Sequence, residues 1–79
     1  MKNYSDTTSI ELTFSEISIT LVSLVLRLEK HIKLNGPIIV AEKYLPIIKK
    51  LNNVLKENGF DYYTDEKIQE FETYISEHK

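Results

Sequence analysis

The sequence predicts an all-α domain: a long antiparallel helical hairpin with a short third helix, assembling as a dimeric bundle. Three observations carry this. Residues 13–35 have a marked helix start, a helix stop and apolar spacing of about 3.6 residues between them. Asn35-Gly36-Pro37 and Asn58-Gly59 punctuate the chain into three segments of helical period. The first segment also carries more apolar surface than one neighbour covers, which calls for another segment of the chain or a second molecule.

The first helix is expected over about 14–34. Thr13 and Glu16 have the T-x-x-E spacing of a capping box, with Leu12 and Ile17 placed to close a hydrophobic staple. Lys30 and Lys33 suit the negative end of the helix dipole. Phe14, Ile17, Leu21, Leu24, Val25, Leu28 and Ile32 fall on one face, the core stripe of a bundle helix. Ile19, Val22 and Leu26 form a second patch nearly opposite. Burying one such side chain gains roughly 1.5–3 kcal/mol, so these three are assigned to a homodimer interface. Ile17, Ile19 and Leu21 also alternate, but the capping box and the later spacing favour a helix. Ile10, Leu12 and Phe14 alternate too, so a short N-terminal strand is a further expectation.

The second helix, about 37–58, holds Pro37 in its first turn and repeats Val40, Tyr44, Ile47, Ile48, Leu51, Val54 and Leu55. Pro46 interrupts it, and an interior proline costs on the order of 3 kcal/mol. A kink or a break is expected there, with the unbroken periodicity favouring the kink. Asn58-Gly59-Phe60 reads as a Schellman ending, with Phe60 folding back on Leu55. The third helix, about 65–77, starts from Thr64 as N-cap with Asp65 and Glu66 in its first turn; Ile68, Phe71 and Ile75 give a narrow apolar stripe. Residues 1–9 are polar and aperiodic, a flexible terminus. Residues 10–79 form the single domain.

Composition narrows the function. A core of 79 residues is thin and gains from association. With no cysteine there is neither a disulfide nor a thiol nucleophile. The apolar run of residues 17–28 is too short to span a membrane, no signal-peptide pattern opens the chain, and the expected compartment is the cytoplasm. The overall charge of −2 hides an asymmetry. Residues 27–56 hold seven lysines and arginines against two acidic residues, and residues 57–79 hold seven acidic residues against two lysines. The two segments are expected to lie against each other, within the chain or across a dimer.

Catalysis finds little support. Arg27 and His31, one turn apart, loosely resemble the Arg…His pair of some helical nucleases, at a shorter spacing than that family's pattern. A solvated Arg27 and a His31 at the edge of the core stripe account for both residues. The only glycines, Gly36 and Gly59, are spent on helix stops. No enzymatic activity, cofactor or metal is expected. Lys43, Lys49, Lys50 and Lys56 offer an alternative nucleic-acid face along the second helix, although four lysines without arginine or an amide reader make a weak base-reading set. Were the alternation of residues 10–14 an intermolecular strand, the chain would resemble ribbon–helix–helix regulators. Its first helix is long for that family and the strand is not basic.

The most interface-like stretch is Asp61, Tyr62, Tyr63, Asp65 and Glu66, where tyrosines supply contact area and carboxylates steer a basic partner. Over that handful of residues it resembles the acidic Tyr-Tyr helix of colicin-type immunity proteins, a resemblance that implies a protein partner. The expected function is a non-enzymatic module that binds a protein to inhibit or regulate it, of the phage-type inhibitor or immunity-like class. The alternative is a small helical nucleic-acid-binding regulator.

Overall fold

The computed structural model describes residues 2–60 and 64–78. Three helices make up its regular structure: α1 (Phe14–Lys33), α2 (Ile38–Glu57) and α3 (Thr64–Glu77). Both α1 and α3 pack on α2. The described residues contain no strand.

The start of α1 is built locally. Thr13 Oγ1 accepts from the Glu16 N–H at 3.1 Å, and Glu16 Oε1 accepts from the Thr13 N–H at 2.8 Å, a complete capping box. Its end is a Schellman motif. Asn35, at φ 54°, takes the left-handed position and donates to Ile32 O, while Gly36 donates to His31 O. A Cβ at Gly36 would overlap the His31 imidazole. That ring lies over the turn, its Nε2 2.9 Å from the Pro37 carbonyl oxygen, so the bare backbone of Gly36 makes room for a side chain that ties α1 to the start of α2.

The second Schellman motif ends α2. Gly59, at φ 86°, donates to Lys56 O, and Phe60 donates to Leu55 O at 2.9 Å. The Phe60 ring stands 5.0 Å from that of Phe14, tilted by 43°, joining the exit of α2 to the entry of α1. Between its ends α2 is one helix through Pro46, not two segments. Pro46 lies on the exposed side, so its ring and missing N–H are kept out of the core.

The core comprises Ile17, Leu21, Val25 and Leu28 of α1, Ala41, Leu45, Ile48 and Leu55 of α2, and Ile68 and Phe71 of α3. Leu24, Ile32, Tyr44, Leu51 and Ile75 pack partly buried around it. The buried face of α2 is turned relative to the periodicity read from sequence. Ala41, Leu45 and Asn52 are inside, while Ile47 and Val54 are exposed. The packing of α1 and α3 on α2 sets which side is inward and leaves the opposite one in water.

Two sequence expectations are corrected. Ile10, Leu12 and Phe14 do not form a strand: Phe14 opens α1, and residues 7–13 have no regular structure and are exposed. An isolated strand has no neighbour to take its backbone hydrogen bonds, so alternation alone does not hold it. Thr64, expected as the cap of α3, is its first helical residue and is buried. Near the N-terminus, a turn closes through Asp6 N–H to Asn3 O and Asn3 N–H to Asp6 Oδ2.

Candidate interaction surfaces

The outer edge of α1 follows from its helical phase. Ile17, Leu21, Val25 and Leu28 define the inward side, and Ile19 and Leu26 fall about 160° from its centre at 100° per residue. The structure leaves them in water, 64% and 56% exposed, with Val22 half-buried beside them. Further exposed apolar side chains stand at the two ends of this helix: Leu12 before it and Leu34 after it, 41% and 71% exposed.

The lysine row on α2 is partly occupied from within the chain. Lys49 pairs with Glu72 at 3.6 Å and Lys56 with Asp65 at 2.8 Å. Lys43 and Lys50 pair with no described acidic residue within 4 Å. On the other flank Lys67 reaches back to Glu29 of α1 at 3.0 Å and to Glu70 at 3.5 Å. The basic and acidic halves of the sequence thus meet inside one chain, along the seams that hold α3. The lysines so engaged are drawn away from a continuous phosphate-binding row.

Asp61, Tyr62 and Tyr63 lie outside the described residues. Of the rest of that stretch, Asp65 has both carboxylate oxygens engaged. Oδ1 accepts from Asn52 Nδ2 at 2.8 Å, and Oδ2 accepts from Lys56 Nζ at 2.8 Å. These two bonds, Lys56 first and Asn52 second, hold the Asp65 carboxyl below the usual carboxylate range. The Lys67 ammonium is held above its ordinary value, chiefly by its hydrogen bond to Glu29. Glu66 remains exposed, at the head of a shallow surface of α3 lined also by Gln69, Glu70, Thr73, Tyr74 and Glu77.

Asn52 was not singled out by its sequence context. It occupies a core position of α2 at 2% exposure, and its Oδ1 has no hydrogen-bond partner among the described residues. Its role is visible only once α3 brings Asp65 over it. A nearby groove of about 440 Å³ between α2 and α3 is lined by Glu42, Leu45, Pro46, Lys49 and Ile75. It opens widely to solvent and gathers no constellation of nucleophile, base and oxyanion donor.

Arg27 is exposed, and His31 is half-buried with its ring engaged at the α1–α2 turn. His78 stacks on Tyr74 at 4.0 Å, its Nδ1 2.8 Å from the Tyr74 carbonyl oxygen. The two histidines thus serve separate helix ends. Among the described residues no three histidine, aspartate or glutamate side chains cluster to hold a metal ion. No described helix is long and apolar enough to cross a membrane. The chain matches no protein-family model, no curated protein and no solved structure.

Proposed function

We propose that this chain is a small protein-interaction module of the cytoplasm. It has no chemistry of its own, pairs with a second copy through Ile19, Val22 and Leu26, and binds a protein partner to inhibit or regulate it. The observation that supports this is the apolar edge of α1, where Ile19 and Leu26 are more than half exposed in a domain with few apolar residues to spare. Isolated apolar side chains on a surface need no explanation, but a row along one helix edge is a docking surface. In the same picture α1 and α2 form an antiparallel hairpin, with the four residues 34–37 between them. The segment from Asp61 to Glu66 supplies the partner-facing site.

Light scattering over a range of concentrations tests the self-association. The expected outcome is a dimer mass for the native chain and a monomer for Leu26→Glu. A native chain that stays monomeric throughout removes α1 from the interface. Partner binding is tested by placing a photo-crosslinking amino acid at Tyr62 in the producing cell. Capture of one protein of defined mass is expected, and capture of nucleic acid alone would overturn the assignment.

A further inference from the structure

We propose that α1 pairs with α1 of a second copy in antiparallel fashion, about a two-fold axis passing through Val22 and Ser23. This rests on α1's outer edge being the self-association surface, and it specifies what that surface recognises: its own sequence, reversed.

The exposed apolar side chains along and around α1 include Leu12, Ile19, Leu26 and Leu34, at successive spacings of seven, seven and eight residues. Ile10 lies further out, and Phe14, 41% exposed, sets its ring on Phe60 rather than along this row. Seven residues turn an α-helix by 700°, about 20° short of two full turns, so Ile19 and Leu26 share one line on the helix. Leu12 and Leu34 bracket the line at its ends. The row is symmetric about its own centre. The midpoint of Ile19 and Leu26 and the midpoint of Leu12 and Leu34 differ by half a residue, both falling at Val22–Ser23. A second copy turned by 180° about that point sets Ile19 against Leu26 twice and Leu12 against Leu34 twice. At the axis stand half-buried Val22 and the small, exposed Ser23, which let two helix backbones approach closely.

A second line carries the charges and has the same centre. Glu16, Ser23 and Lys30, also seven residues apart, run beside the apolar row and are all exposed. The antiparallel arrangement places Glu16 of each copy opposite Lys30 of the other. A parallel arrangement stacks Glu16 on Glu16 and Lys30 on Lys30, which repels, and it sets the two helix dipoles side by side in one direction. Lys30 has no ion-pair partner among the described residues. Glu16 is exposed and uses one carboxylate oxygen, Oε1, to cap Thr13. Apolar row and charge row therefore select the same partner in the same direction, the isologous contact of a closed dimer.

The cysteine-free chain makes the test direct. Ile19→Cys and Leu26→Cys change exposed positions and are mixed in equal amounts under mild oxidation, and the disulfide-linked peptides are identified by mass. The expected result is a mixed disulfide, joining one Ile19→Cys chain to one Leu26→Cys chain, at least tenfold in excess of either self-linked product. Ser23→Cys should link efficiently to itself. Self-linked Ile19→Cys and self-linked Leu26→Cys, with no mixed product, would overturn the antiparallel register while leaving the dimer in place. No linkage at any position, together with a monomer mass by light scattering, would overturn the underlying dimer as well.

Discussion

The turn between α1 and α2 depends on one contact, the His31 ring over the bare backbone of Gly36, and a double-mutant cycle isolates it. Gly36 lies outside the left-handed region, so alanine meets no backbone penalty there. It meets the His31 imidazole instead. The added methyl pushes the ring off its 2.9 Å bond to the Pro37 carbonyl, a loss of ~0.5–1.5 kcal/mol for one hydrogen bond. Against this, replacing glycine restricts the unfolded chain and gains ~0.4–1 kcal/mol. Gly36→Ala should therefore be neutral to destabilising by ~1 kcal/mol in the native background. With His31→Ala already made, the steric term is gone and Gly36→Ala should stabilise by ~0.4–1 kcal/mol. The sign of one substitution thus depends on the other, with a coupling of ~0.5–1.5 kcal/mol. Urea unfolding of the four proteins reads it from the midpoints, provided the slopes agree. Effects that add to within ~0.3–0.5 kcal/mol would show that ring and glycine act independently and would refute the account of this turn.

Three further outcomes follow from the packing and the charges. Leu28 is fully buried and Leu26, two residues away, is more than half exposed. Leu28→Ala should cost ~2–5 kcal/mol, while Leu26→Ala at concentrations too low for association should stay within ~0.5 kcal/mol; equal costs by urea titration would contradict the helical phase of α1. Gly59→Ala has open space around the new methyl, yet φ is 86°. It should lose ~1–2 kcal/mol through the left-handed backbone alone, and an unchanged melting temperature would rule that out. The Glu16 carboxyl, held down chiefly by the Thr13 N–H, and the Asp65 carboxyl, held down chiefly by Lys56, both bind protons less readily when folded. Their contribution is complete above the ordinary carboxylate range and is lost as pH falls below about 4. Melting temperature should drop on that limb, less steeply in Asp65→Asn; an identical slope would show that the clamp is inert.

The parts of this fold legible in sequence are those that close over a few residues. Thr13 and Glu16 satisfy each other's backbone without help from elsewhere, and Asn35 and Gly59 stop helices by their own conformational freedom. Features that depend on a distant partner were not legible in the same way. Alternation over Ile10, Leu12 and Phe14 has the look of a strand, but nothing along the chain shows whether a neighbour exists to pair with it. The apolar stripe of α2 is wide enough to admit several buried faces, and only the docking of α1 and α3 selects Ala41, Leu45 and Asn52 over Ile47 and Val54. Charge asymmetry was visible, but not which lysine meets which carboxylate. In the candidate interface, the exposure of Ile19 and Leu26 follows from their phase on α1, whereas Asp65 reads as a free acidic residue until Asn52 and Lys56 are seen beneath it.

Of the buried apolar side chains described, α3 supplies only Ile68 and Phe71, against four each from α1 and α2. Its remaining described attachments include the Asn52–Asp65 hydrogen bond and solvent-accessible ion pairs, which add little stability in water and less in salt. It is the element held least firmly, and local opening in a small domain starts from such elements. Amides of α3 should exchange with solvent ahead of those at the centres of α1 and α2. Each such excursion bares Leu45, which lies beside Ile75, and parts Asp65 from Asn52 and Lys56. Carboxylates that are paired in the closed form are thus on offer, briefly and reversibly, whenever the last helix lifts.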